Sequence, residues 1–199
     1  MRLNYLLIKK SFLIIWKIYI FLKIIFNRKP SNKNLKIYYG GSKSGNIGGP
    51  HVKIQKLKRE FPENTSGFNL VYLLSNNSYF TKTSLNILKR RKIPIILNQN
   101  GVYYKSWFKG NYLARNESMA NGYHLADYVF WQSKFCRKTS DKFLGERSGD
   151  GEILYNSVDT NLFTPEFKNK KIFTFLITGN INKNNSYRII SVFKAIKKL

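Results

Sequence analysis

The densest concentration of chemically suggestive residues is Gly40-Gly41-Ser42-Lys43-Ser44-Gly45-Asn46-Ile47-Gly48-Gly49-Pro50, which leads into a helical pattern at His51. Its five glycines give free φ and no Cβ, so a ligand can approach the backbone closely. Pro50 suits a first helical position, and the amides of a helix start favour a phosphate or a sugar hydroxyl. Neither Gly-x-Gly-x-x-Gly nor Gly-Lys-Ser/Thr at Walker spacing occurs, which excludes a dinucleotide fingerprint and a P-loop. Gly48, Gly49 and His51 are the candidate ligand contacts here, and a flexible loop without a ligand is the alternative. A second candidate is Asn98-Gln99-Asn100-Gly101. On an extended chain Asn98 and Asn100 point the same way, so both amides can face one cleft and hydrogen-bond a polyol. Asn-Gly is equally a turn signal.

Other reactive types are sparse. His124 sits inside a helical pattern, where a packing or helix-end role is expected. Asp127 and Asp159 flank strand patterns, and turn or cap roles fit them as well as acid chemistry does. No Ser-His-Asp series and no metal-ligand cluster emerges, and one cysteine, Cys136, excludes an intramolecular disulfide framework.

The elements that must position these residues alternate. Apolar runs at 36–39, 68–74, 93–98, 127–132, 152–155 and 172–178 read as strands. Helical patterns fall at 51–61, 80–92, 112–126, 133–144 and 186–199. Such alternation predicts an open parallel sheet with helices on both faces, in which ligands bind at the carboxyl ends of the strands.

Ahead of this lies Leu3 to Phe26, apolar runs broken by Lys9, Lys10, Lys17 and Lys23. At 100° per residue Lys10, Lys17 and Arg28 fall within about 20° of one another, with Leu, Ile, Phe, Trp and Tyr opposite. The expectation is a helix lying in the membrane interface, its lysines toward anionic head groups. A spanning anchor and a helix packed on protein are the alternatives. The first is opposed by Lys17 near the midpoint, where a lysine costs about 2.5 to 3.5 kcal/mol. No small-residue cleavage site follows, and 27–34 reads as a polar linker.

The formal charge is +25, from 35 Lys and Arg against 10 Asp and Glu. Residues 1–59 hold 14 of the bases and none of the acids. A hydrophobic content of 43% excludes a disordered basic tail. Lysine, asparagine and isoleucine make up 69 of the 199 residues, as AT-rich coding would produce, so much of the charge needs no polyanionic partner. Nucleic acid is not expected.

Residues 152–165, Glu-Ile-Leu-Tyr-Asn-Ser-Val-Asp-Thr-Asn-Leu-Phe-Thr-Pro, resemble the interdomain signature of family 4 glycosyltransferases. Asn156, Val158, Asp159, Phe163 and Pro165 match it, while Tyr155 and Ser157 replace the usual Pro and Gly. Residues 173–179 resemble the first strand of that family's second domain, and 126–135 the strand that ends in a serine before the last helices of the first. Gly48-Gly49-Pro50-His51-Val52 stands where the family has its glycine loop and first helix.

The resemblance implies the N-terminal half of a GT-B fold. Its domains would be a basic apolar membrane-associated helix and linker at 1–34, a Rossmann-like acceptor domain at 35–167, and the start of a donor-binding domain at 168–199. It implies hexosyl transfer, with retention, from a nucleotide-sugar to a polysaccharide or lipid-linked acceptor, with no metal. The place would be the cytoplasmic side of the cell membrane, against an anionic surface. Gly48 and Gly49 would lie near the transferred sugar or diphosphate, and Asn100-Gly101 occupies the place of a frequent His-Gly, where Asn cannot take a proton near neutrality. Gly179, Lys183 and Arg188 would face the donor phosphates, although the family's Gly-Arg is here Gly179-Asn180. The paired glutamates of the donor domain are not in the sequence. By this reading the chain is a fragment, inactive alone, and no residue is assigned to catalysis. A non-catalytic sugar- or nucleotide-binding protein or partner subunit is the competing expectation.

Overall fold

The computed structural model describes residues 2–28, 34–46, 48–76, 79–165, 174–177 and 186–198. In chain order the elements are α1 (Arg2–Ile25), β1 (Ile37–Tyr38), α2 (Gly49–Glu60), β2 (Leu70–Leu74), α3 (Lys82–Arg90), β3 (Ile95–Gln99), α4 (Tyr112–Leu125), β4 (Tyr128–Trp131), α5 (Lys134–Leu144), β5 (Gly151–Ile153) and α6 (Ser186–Ile196). Two compact units result, one of residues 1–102 and 114–155, the other of 103–113 and 156–199.

The first unit is an α/β, Rossmann-like open sheet, with all five strands parallel and ordered β1-β2-β3-β4-β5. Parallel register puts Ile37, Leu70, Tyr72, Leu74, Ile96 and Asn98 on one face. Ile54 and Leu57 of α2 pack there, closing a cluster with Ile37, Tyr39 and Leu74. The other face holds Tyr38, stacked on Phe68 at 4.8 Å, and Trp131, whose indole N–H donates to the Tyr123 hydroxyl of α4. Helices therefore cover both faces, as the alternating pattern predicts.

How α2 reaches its face is visible at the edge of β1. Beyond α2 the chain makes a single parallel bridge, Glu63 to Ile37, with the Asn64 N–H donating to the Ile37 carbonyl at 2.7 Å. Leu70 N–H takes the Lys36 carbonyl, which points the opposite way, so residue 63 lies on the outer side of β1 and β2 on the inner. The order thus reverses at β1, as in a doubly wound sheet, with the outer strand reduced to one bridge.

Capping fixes the helix starts. Thr81 Oγ1 accepts from the Ser84 N–H ahead of α3, and Ser133 Oγ from the Cys136 N–H ahead of α5, each leaving one fewer orphan donor. Helix α2 begins at Gly49, two residues before the expected His51, so Pro50 is the second residue of the first turn rather than the first. Gly48 caps it with φ 87°, a conformation that favours glycine.

Helix α1 is docked on this unit. Ile20 and Ile24 are fully buried, and Leu13, Trp16, Lys17 and Lys23 are half-buried. Two polar devices hold its end. Asn27 donates through Nδ2 to the Phe68 carbonyl (2.9 Å) and accepts the Phe68 N–H (3.0 Å), pairing like a strand neighbour. Arg91 donates to the carbonyls of Ile24, Ile25 and Asn27, supplying a cation where the helix dipole is negative. Trp16 lies against the turn at Gly40 and Gly41, where a Cβ on Gly41 would come within 3.0 Å of the indole. Lys17 and Lys23 are therefore partly covered by protein, where head groups were expected. Among the described residues no helix is long and apolar enough to cross a membrane.

In the second unit, Tyr103 meets Trp107 and Phe108 at 5.1 and 5.0 Å in an aromatic turn. Asp159 Oδ1 accepts the Asn161 N–H, the turn role foreseen for it. The strand expected at 172–178 does not form over 174–177, which have no regular structure and join no ladder of the sheet. The rest of that stretch lies outside the described residues.

Candidate functional site

At the carboxyl ends of β2, β3 and β4 the sheet gathers a compact set of polar side chains around Lys53. This lysine is one turn into α2, on the inward stripe with Ile54 and Leu57, and its stem must run over the sheet. Its Nζ donates to Asn98 Oδ1 at 2.9 Å and to Asn100 Oδ1 at 3.4 Å. Asn98, buried at the end of β3, also hydrogen-bonds the Tyr72 hydroxyl. Gln132, just past β4, donates through Nε2 to Asn100 Oδ1. The Asn100 N–H donates to Ser75 Oγ at 3.0 Å, tying the cluster to the end of β2. The alternation that sends Asn98 and Asn100 to one face is thus realised.

The electrostatics follow from burial. Desolvation lowers the pKa of Lys53, since losing water disfavours the ammonium. Burial pushes the Tyr72 hydroxyl up to about 12 and raises the Cys136 thiol, whose Sγ donates to the Gln99 carbonyl at 3.2 Å. Cys136 is thereby an inert core group. Because two donors converge on Asn100 Oδ1, its amide orientation is fixed, and Asn100 Nδ2 remains without a hydrogen-bond partner among the described residues. A cation and an unpaired amide donor can bind an oxygen-rich group, a hydroxyl or a phosphate. The Asn98, Asn100, Gln132 and Ser75 side chains exchange no proton near neutrality.

The sequence-derived candidates divide. Asn98 and Asn100 are brought together, while a Cβ at Gly48, Gly49 or Gly101 would meet nothing within 4 Å, so backbone there is open to approach. His51 is exposed and lies against Gly45, where a Cβ would stand 3.5 Å from its own. Gly40 and Gly41 are spent on a turn, the Ser42 N–H returning to the Tyr39 carbonyl at 3.1 Å. Gly179 and Lys183 lie outside the described residues, as does the side chain of Arg188 on α6. Lys53, Gln132 and Ser75 were not foreseen.

The opposite end of the sheet holds a cleft of about 410 Å³ lined by Lys89, His124, Asp127, Glu146, Arg147 and Asp150 among others. Three of these side chains, Arg147, Asp127 and His124, are committed to the backbone. Arg147 donates to the carbonyls of Tyr123 (2.6 Å) and Ala126 (2.7 Å), which close α4. Asp127 Oδ2 accepts the Ile95 N–H at 2.8 Å, and His124 Nε2 meets the Leu144 carbonyl at 2.7 Å. His124 takes the helix-end role expected of it, whereas Asp127 forms neither a cap nor a turn and instead ties the start of β3. No group of three or more metal-ligating side chains occurs among the described residues.

A scan of protein-family models, a search of curated proteins and a search of solved structures each return no match to this chain.

Proposed function

We propose that the first unit is the acceptor-holding domain of a glycosyltransferase, binding a saccharide or a lipid-linked saccharide at the carboxyl end of its sheet. The donor in this reading is a nucleotide-sugar bound by a second Rossmann-like domain, at the cytoplasmic face of the membrane and without a metal. One observation carries it: the Lys53, Asn98, Asn100 and Gln132 cluster sits beside the open Gly48-Gly49 backbone, at the end of a sheet where this architecture places ligands. Lys53 would orient a hydroxyl or neutralise a phosphate, and the amides would fix the ring. The motif resemblance at 152–165 supports the same assignment.

A second reading, binding without catalysis, is favoured by the composition of the cluster. Asparagine and glutamine position a ligand but supply no general base, which leaves Lys53 as the one titratable member. Both readings predict binding, so the test is a titration of the chain with octyl glycosides of glucose, galactose, mannose and N-acetylglucosamine, followed by NMR. Shifts should concentrate at Lys53, Asn98, Asn100 and Gln132, and Lys53→Met should weaken binding about tenfold, the value of one charged hydrogen bond. Absence of binding to every glycoside, or equal binding by the variant, overturns the assignment.

A further inference from the structure

We infer that α1 is a monotopic membrane wedge, gripping its own domain with the face that carries Ile20 and Ile24 and inserting the opposite half into an anionic bilayer. This rests on α1 alone and stands whether or not the chain handles sugar. Phe12, Ile15, Ile18, Leu22, Ile25 and Phe26 are each between 40% and 76% exposed, although every one is large and apolar. On the helix they fall in an arc of about 140°, and the ridge runs about 21 Å. The opposite arc carries the buried Ile20 and Ile24 and ends at the Asn27 and Arg91 anchors, so the roll of the helix about its axis is fixed. A continuous apolar ridge of this length marks an interaction surface.

Charge identifies what covers it. Residues 1–59 contain no Asp or Glu, and Lys23 and Arg28 are the described cations nearest the edges of the ridge. A second copy of the chain would bring two uncompensated basic helices together. An anionic bilayer instead accepts the aliphatic ridge into its acyl boundary and the flanking cations at its head groups. Because the far face of the helix is already occupied by the domain, the helix lies in the membrane plane and does not span it.

The experiment uses the 199-residue chain and vesicles of phosphatidylcholine with or without phosphatidylglycerol. Flotation should show binding to the anionic vesicles that added salt weakens. The double substitution Ile18→Ser, Leu22→Ser should reduce partitioning at least about tenfold with an unchanged melting temperature, since both side chains are exposed. A readout on the unsubstituted chain guards against misfolding: lipid carrying a spin label in its acyl chain should broaden the methyl signals of Ile18 and spare those of Ile20. Equal broadening of Ile18 and Ile20 overturns the wedge, because the helix would have left its domain. So does vesicle binding that survives the double substitution. Self-association that the serines abolish, without any vesicle binding, overturns it in favour of a second copy.

Discussion

The two ends of the parallel sheet carry similar side chains in opposite states of commitment. At the amino end Arg147, Asp127 and His124 are all directed at backbone groups, closing α4 and fixing the start of β3. At the carboxyl end Lys53, Asn98, Asn100 and Gln132 are directed at one another, with glycine backbone open beside them; each end leaves a buried donor unpaired, Asn100 Nδ2 here and Arg147 Nε there. A cleft of about 410 Å³ belongs to the first end. Concavity and charge therefore do not distinguish a binding site from a staple; what the donors and acceptors are already bonded to does.

Substitutions should separate the two ends cleanly. Arg147→Ala should have the largest effect, a loss of about 3 kcal/mol from charge-assisted bonds to helix-end carbonyls. That corresponds to a melting temperature lower by about 6 to 12 °C by calorimetry, with glycoside binding by the folded protein unchanged. Lys53→Met should do the reverse, weakening binding about tenfold while shifting stability by no more than about 1 kcal/mol, because relief of desolvation offsets the lost hydrogen bonds. Comparable losses of stability at both ends would collapse the contrast.

The pH dependence sharpens it further. Burial holds the pKa of Lys53 below its unfolded value, so the charged form opposes folding. As pH rises through the folded pKa toward the ordinary lysine value of about 10.4, the native state sheds the proton first and stability increases. Wild type should gain stability relative to Lys53→Met across that window while losing affinity for phosphorylated ligands, measured by denaturant melts and titration. The smallest effect is expected from Lys89→Ala. Its ion pair with Asp127 is about 40% exposed on both sides, so urea denaturation should register less than about 1 kcal/mol.

Much of the fold was legible because each strand is a short apolar run bounded by polar turns. Five of the six expected strands form, displaced by at most two residues at either end. Asn98 and Asn100 were legible because strand periodicity alone decides their common face. Lys53 was not, being one lysine among 26. Its signal was positional: it occupies the inward stripe of α2 beside Ile54, where a cation needs a polar partner on the sheet. The orientation of α1 was hidden for a related reason. Periodicity separates its basic and apolar halves but not which half meets protein, and that was decided by Asn27, Arg91 and the Gly41 turn, residues far apart in sequence.

Those anchors also impose an order of events on synthesis. Asn27 is secured by Phe68, 41 residues later, and Ile24 by Arg91, 67 residues later. At about 5 to 20 residues per second, roughly 3 to 13 s separate the emergence of α1 from that of its last anchor. For that interval the most apolar stretch of the chain is outside the ribosome with no fold to hold it. Helix α1 is thus made well before the residues that fasten it, and a nascent chain has time to find a surface before it has a domain.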